Sequence, residues 1–133
     1  MLVVKLSLVD KLELIGAALQ ALGRPADIRV MSGFRTPQYN AQGVGKRGGR
    51  ARDSRHMYGD AADIFVDSDG DGRMDDLDGD GRVTVGDAVW LAAVAAQVDA
   101  EHPMVLGGIG VYRANAAHGP FVHVDTRGTP ARW

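Results

Sequence analysis

A chain of 133 residues and 14.1 kDa has room for one compact domain. Apolar residues at 45% suffice for a core, but aromatics at 6% leave that core to Leu, Val, Ile and Ala. The absence of Cys excludes disulfides, thiolate metal sites and Cys nucleophiles, and no apolar run approaches the ~20 residues of a membrane helix.

In chain order, Met1 to Asp10 carries one Lys and a short apolar stretch with no small-residue cleavage site, so no signal peptide is read there. Ser7 to Leu22 reads as a helix, with Leu8, Leu12, Ile15, Leu19 and Leu22 on one face, Ser7 as its cap and Gly23 and Pro25 as its stop. Asp27 to Ser32 alternates and reads as a strand, with Ile28 and Val30 on one face. Residues 33–37 turn, and Thr36-Pro37 opens a short helix carrying Tyr39 and Asn40. Residues 43–55 lack an apolar period and form a long loop holding Lys46, Arg47, Arg50, Arg52 and Arg55. No aromatics interleave those bases, so the loop reads as solvated and no nucleic-acid partner is expected. Ala61 to Val66 is a second strand.

The net charge of −2 conceals an asymmetry. Residues 67–87 hold eight Asp and two Arg, a charge of −6, while the remaining chain holds nine acids and 13 bases, a charge of +4. A helix follows from about Gly86 to Asp99, with Val89, Ala92, Ala93 and Ala96 as its expected inner face. Pro103 and Gly107-Gly108 break the chain, and Gly110 to Arg113 and Phe121 to Asp125 read as two further strands. No internal boundary is visible, so residues 1–133 read as one domain with 67–87 inserted.

Among the four His, the spacing of His56 is informative, because Asp63 follows seven residues later on the next strand. Imidazole nitrogen and carboxylate oxygen are ordinary zinc ligands, and a catalytic zinc takes three protein ligands plus water. His123 is well placed as the third, lying centrally in the apolar strand Phe121-Val122-His123-Val124-Asp125, where a lone polar ring needs a partner.

The segments SGFRTPQYN (32–40), SRHMYGDAADI (54–64), GGIGVY (107–112) and FVHVDTRG (121–128) resemble the zinc D-Ala-D-Ala peptidases of the M15 class. They are most similar to its short bacterial branch of murein peptidases, whose fold is shared with the hedgehog signalling domain. Ser54, His56, Gly59, Ala61 and Asp63 match the branch motif, and Arg132-Trp133 also looks like that branch. The resemblance implies one zinc held by His56, Asp63 and His123, with Arg35 contacting substrate. It implies a role for His118 near the metal, in oxyanion stabilisation or proton transfer. It also exposes a departure: the carboxylate that many relatives place three residues before the last His is here Pro120. Asp125, two residues after His123 and on the same strand face, is left as the base or as the orienter of a ligand His.

The insert carries a second metal pattern. Asp67, Asp69, Asp71, Gly72, Asp75 and Asp78 fall at positions 1, 3, 5, 6, 9 and 12 of an EF-type calcium loop. Asp76, Asp78, Asp80, Gly81, Thr84 and Asp87 repeat the frame, with Val83 apolar at position 8. The overlapping frames resemble the chained repeats of thrombospondin type 3 and predict one or two calcium ions.

The expected fold is α+β, a small antiparallel sheet with helices on one face and a zinc cleft on the other. The resemblance implies a zinc metallopeptidase acting outside the cytoplasm on stem or cross-link peptides of peptidoglycan, as a carboxypeptidase or an endopeptidase, and a monomer is expected. Pro120 keeps open a second reading, a non-catalytic zinc- and calcium-stabilised binding module. A third, a calcium-regulated scaffold, would leave the zinc pattern idle.

Overall fold

The computed structural model describes residues 6–31 and 61–133. The turn, short helix and basic loop expected between residues 33 and 55 lie outside the described residues, as do Arg35 and His56.

Helix α1 spans Leu6–Ala21. It buries Leu8, Ile15 and Leu19, and between them on the same stripe it buries Lys11 completely. Ser7 does not cap the helix but lies inside its first turn, where its hydroxyl meets that of Thr126 at 3.0 Å. Leu22 falls past the helix end and is 57% exposed, so it leaves the face that its spacing assigned to it. The chain then reverses at Gly23, whose φ of 73° suits glycine.

Helix α2 spans Val85–Glu101. A reciprocal cap at Thr84 starts it: the Thr84 hydroxyl accepts from the Gly86 amide, and the Asp87 carboxylate accepts from the Thr84 amide at 2.8 Å. The helix buries Ala88, Leu91, Val94, Ala95 and Val98. The expected inner face is therefore corrected, since Val89 is 53% exposed and Ala92 and Ala96 only flank the core. The face that wins carries Leu91, Val94 and Val98, which remove more apolar area from water than a stripe of Ala.

Among the described residues, five strands form one open sheet in the order β1-β2-β4-β3-β5. These are β1 (Ile28–Val30), β2 (Ala61–Val66), β3 (Gly108–Tyr112), β4 (Phe121–Asp125) and β5 (Ala131–Arg132). Pairing is antiparallel from β1 through β3, but β5 runs parallel to β3. The expected all-antiparallel sheet is thus a mixed one. Its parallel edge is two residues long, too short to leave a periodic signal in the sequence.

The sheet has two unlike faces, as strand alternation requires. Ala62, Ile64, Val66, Ile109, Val122 and Val124 join the helix side chains in the core. Met74 and Leu77, two of the apolar residues inside the acidic insert, are buried in the same core and anchor the insert to it. Asp63, Phe65, Phe121, His123 and Asp125 take the alternate positions and so belong to the opposite face.

Three glycines set the geometry around β3. A β-carbon at Gly107 would overlap the Asp125 carbonyl oxygen, and one at Gly108 would press on the Asp125 carboxylate at 2.8 Å. A β-carbon at Gly110 would collide with the Trp133 indole. The segment GGIG is a docking surface for β4 and for Trp133, and β3 begins within it rather than after it.

Candidate active site

Strand register makes the site. Asp63 on β2 pairs directly with His123 on β4, and His123 pairs with Gly110 on β3. Asp63 Oδ1 lies 3.3 Å from His123 Nδ1. The other ring nitrogen, Nε2, lies 2.7 Å from Asp125 Oδ2. The second contact has the length of a charge-assisted hydrogen bond, and the first is longer. Two ligands of a tetrahedral zinc with bonds of ~2.0–2.1 Å stand about 3.3–3.4 Å apart, which is the Asp63–His123 separation. The described residues therefore fit a zinc ion for two of the three ligands read from the sequence.

Asp125 is fully buried and heavily bonded. Its Oδ1 accepts from the Gly108 amide at 2.8 Å and the Arg127 amide at 3.1 Å. The Arg127 guanidinium grips both oxygens, with Nη2 at 2.6 Å from Oδ2. Burial works against the charge on Asp125, but His123, Arg127 and these amides outweigh it and hold the carboxyl far below the usual carboxylate range. Burial also works against a charged His123, yet its bonds to Asp125 and Asp63 prevail and raise its pKa. Trp133 covers this cluster. Its ring stands 5.0 Å from the His123 ring and 5.4 Å from the Arg127 guanidinium, and its Nε1 donates to the Tyr112 hydroxyl at 2.6 Å.

His118 stands at the edge of the same face. Its ring meets Phe121 edge-on at 4.9 Å, and its Nδ1 lies 2.7 Å from the Gly119 carbonyl. A carbonyl only accepts, so Nδ1 carries hydrogen and the lone pair of the neutral ring sits on Nε2. Pro120 is buried just before β4, a position a strand tolerates.

The acidic insert forms two turns of one design, nine residues apart. Carboxylate oxygens of Asp67, Asp69 and Asp71 lie within 4.8 Å of one another, and so do those of Asp76, Asp78 and Asp80. In each turn the first Asp accepts from two glycine amides, Gly70 and Gly72 or Gly79 and Gly81. Asp75 and Asp87 are engaged elsewhere: Asp75 accepts from Ser68, and Asp87 accepts the amides of Leu77, Asp78 and Thr84. The Asp80 amide pulls the Asp78 carboxyl down, but desolvation and its neighbours Asp76, Asp80 and Asp87 push it up to about 6.

Sequence reasoning passed over Lys11, Asp99 and Arg127. Lys11 Nζ, beneath the site, contacts Asp99 at 2.7 Å, the Asp125 carbonyl at 2.8 Å and the Val105 carbonyl at 3.1 Å. Its signal was present, since Lys11 follows Leu8 by three and precedes Ile15 by four on the buried stripe. Burial pushes the Lys11 pKa down, and Asp99 offsets this only in part.

A carboxylate and an imidazole converging on the sheet face turned away from the helices are the ligand chemistry of zinc hydrolases. The chain belongs to the peptidoglycan L,D-endopeptidase MepK family, whose family model matches residues 4–74. It is an M15-type peptidase that hydrolyses the peptide cross-links of the cell wall, an endopeptidase rather than a carboxypeptidase or a binding module. The match includes His56 and Asp63 and ends before β3, so His118, His123 and Asp125 rest on geometry and pattern. Neither a curated protein nor a solved structure matches the chain. Family membership implies zinc and action outside the cytoplasm, and among the described residues no helix is long and apolar enough to cross a membrane.

Proposed function

We propose that the cross-link is cut on the outer sheet face at a zinc held by His56, Asp63 and His123, in a single domain of hedgehog/DD-peptidase type. The observation that carries this reading is the direct pairing of Asp63 with His123 at 3.3 Å. Zinc bound there supplies Lewis acidity to the scissile carbonyl and acidity to water. Asp125 holds His123 Nε2 and so reserves Nδ1 for the metal, while Arg127 and the Gly108 amide hold Asp125. With all these donors on it, Asp125 is a positioning residue and not the base. His118 Nε2 takes a proton from the attacking water and returns it to the leaving amine nitrogen as the C–N bond breaks. Arg35 steadies the substrate through its planar fork.

Chelation of the purified chain is expected to abolish cleavage of a cross-linked muropeptide, and one equivalent of zinc to restore it. Activity that survives complete metal removal would overturn the reading. His118→Ala is expected to lower kcat by about 10²–10⁴-fold with zinc stoichiometry unchanged. Wild-type turnover in that variant would remove His118 from proton transfer.

The two acidic turns are read as calcium sites in a protein secreted to a calcium-containing compartment. The gathering of three carboxylates per turn and the raised Asp78 support this, because like charges so close favour a counter-cation. Calcium at a hundredfold excess over its dissociation constant is expected to raise the melting temperature by roughly 10 °C, with Asp71→Ala or Asp80→Ala blunting the rise. A melting temperature indifferent to calcium, measured with zinc held constant, would return the insert to a solvated loop.

A further inference from the structure

A cleft of about 400 Å³ opens on the sheet face that carries Asp63 and His123. Phe65 and Phe121 line it, each two residues along its strand from Asp63 or His123 and so on the same face. His118 stands on its wall. Two arginines also line it, from opposite parts of the chain. Arg29 comes from β1, where it pairs with Phe65. Arg73 comes from the acidic insert, with the stem of its side chain against Gly119.

The charges in this cleft are unbalanced. Asp67 lines it, but its carboxylate is 3% exposed and turned into its own loop, where Oδ1 accepts from the amides of Gly70 and Asp71 and Oδ2 from that of Gly72. Arg29 Nε donates to the Asp67 carbonyl at 3.3 Å, which positions the guanidinium without neutralising it. Among the described residues neither Arg29 nor Arg73 forms an ion pair with a carboxylate. The four remaining N–H donors of Arg29 and the five of Arg73 thus flank an aromatic floor one same-face step along the strands from Asp63 and His123.

We propose that this cleft recognises a free carboxylate of the cross-linked peptide through Arg29 and Arg73, so that the acidic insert supplies a specificity residue for the reaction. The proposal rests on the peptidase reading above. The site selects peptide strands by their negative charge, and the aromatic floor packs against the neighbouring aliphatic chain.

The test compares a synthetic cross-linked peptide bearing free carboxylates with the same peptide capped as carboxamides, using the zinc-loaded chain. The wild type is expected to show a KM about tenfold lower for the carboxylate form, the scale of a charge-assisted contact. Arg73→Gln and Arg29→Gln are each expected to remove most of that preference through KM, with kcat within about twofold and zinc content unchanged. A wild type that does not distinguish the two peptides, or variants that keep the full preference, would overturn the proposal. If neither peptide is cut, the peptidase reading fails, and calorimetric binding of the two peptides then decides the cleft separately. Tighter binding of the carboxylate form that Arg73→Gln abolishes sustains it, and equal affinities sink it.

Discussion

His123→Ala is expected to lose zinc and cross-link cleavage together, whereas Asp125→Ala keeps a metal site weakened by about 10–100-fold. The difference follows from where each side chain stands. His123 Nδ1 faces Asp63, and its replacement would remove one of the proposed ligands outright. Asp125 contacts His123 Nε2 and would act on the proposed metal through that ring, so its loss would free the ring to rotate and lower its basicity. Arg127 then loses the carboxylate it grips with both Nε and Nη2, which loosens the wall under Trp133 as well. Titration against a competing chelator measures both affinities. Stoichiometric, tight zinc in His123→Ala would remove it from the ligand set. Unchanged zinc affinity in Asp125→Ala, combined with a collapse in kcat, would make Asp125 a proton-transfer group after all.

Lys11→Met is expected to destabilise the fold by about 3–5 kcal/mol, although it replaces a charge in the core with an apolar chain of similar length. The cost lies in what remains behind. Asp99 is 3% exposed and would be left with the Gly107 amide at 3.3 Å and an Arg132 contact at 3.5 Å. The carbonyls of Val105 and Asp125 would lose the ammonium as a donor. Removing one member of a buried pair strands the other, while removing both is far milder. Chemical unfolding should therefore show the double variant Lys11→Met/Asp99→Leu recovering part of the loss. A single variant within about 1 kcal/mol of the wild type would show that water reaches Asp99 and that the pair is not a keystone.

The sequence made the site legible where residue type and period conflict. The spacing of Asp63 after His56 marks one half of the candidate site, and a His between Val122 and Val124, which cannot be a core residue without a partner, marks the other; strand pairing sets Asp63 opposite His123. Sheet order and the parallel edge were not legible. Register between distant strands is set by contacts that leave no periodic trace, and β5 is two residues long. The inner face of α2 was misread because its turns are rich in Ala, so several helical faces look equally apolar and bulk decides among them. Lys11 was passed over for the opposite reason. A lysine on an apolar stripe is easily assigned to the helix edge, and only the facing Asp99 and two carbonyls explain its burial. Arg29 and Arg73 lie 44 positions apart, and only the packing of the insert against the sheet brings them to one cleft.

The strand that carries His123 is the middle one of the five described strands, bonded on both edges and tied from behind to α1 through Lys11. Amide hydrogens in such a strand are expected to exchange with solvent mainly by whole-molecule opening. The proposed centre of chemistry therefore falls on the strand expected to open last. Two-residue β5 and three-residue β1 can fray without disturbing the Asp63–His123 register. Any change that loosens that register, in contrast, draws directly on the stability of the whole fold, so activity and unfolding should fail at the same temperature.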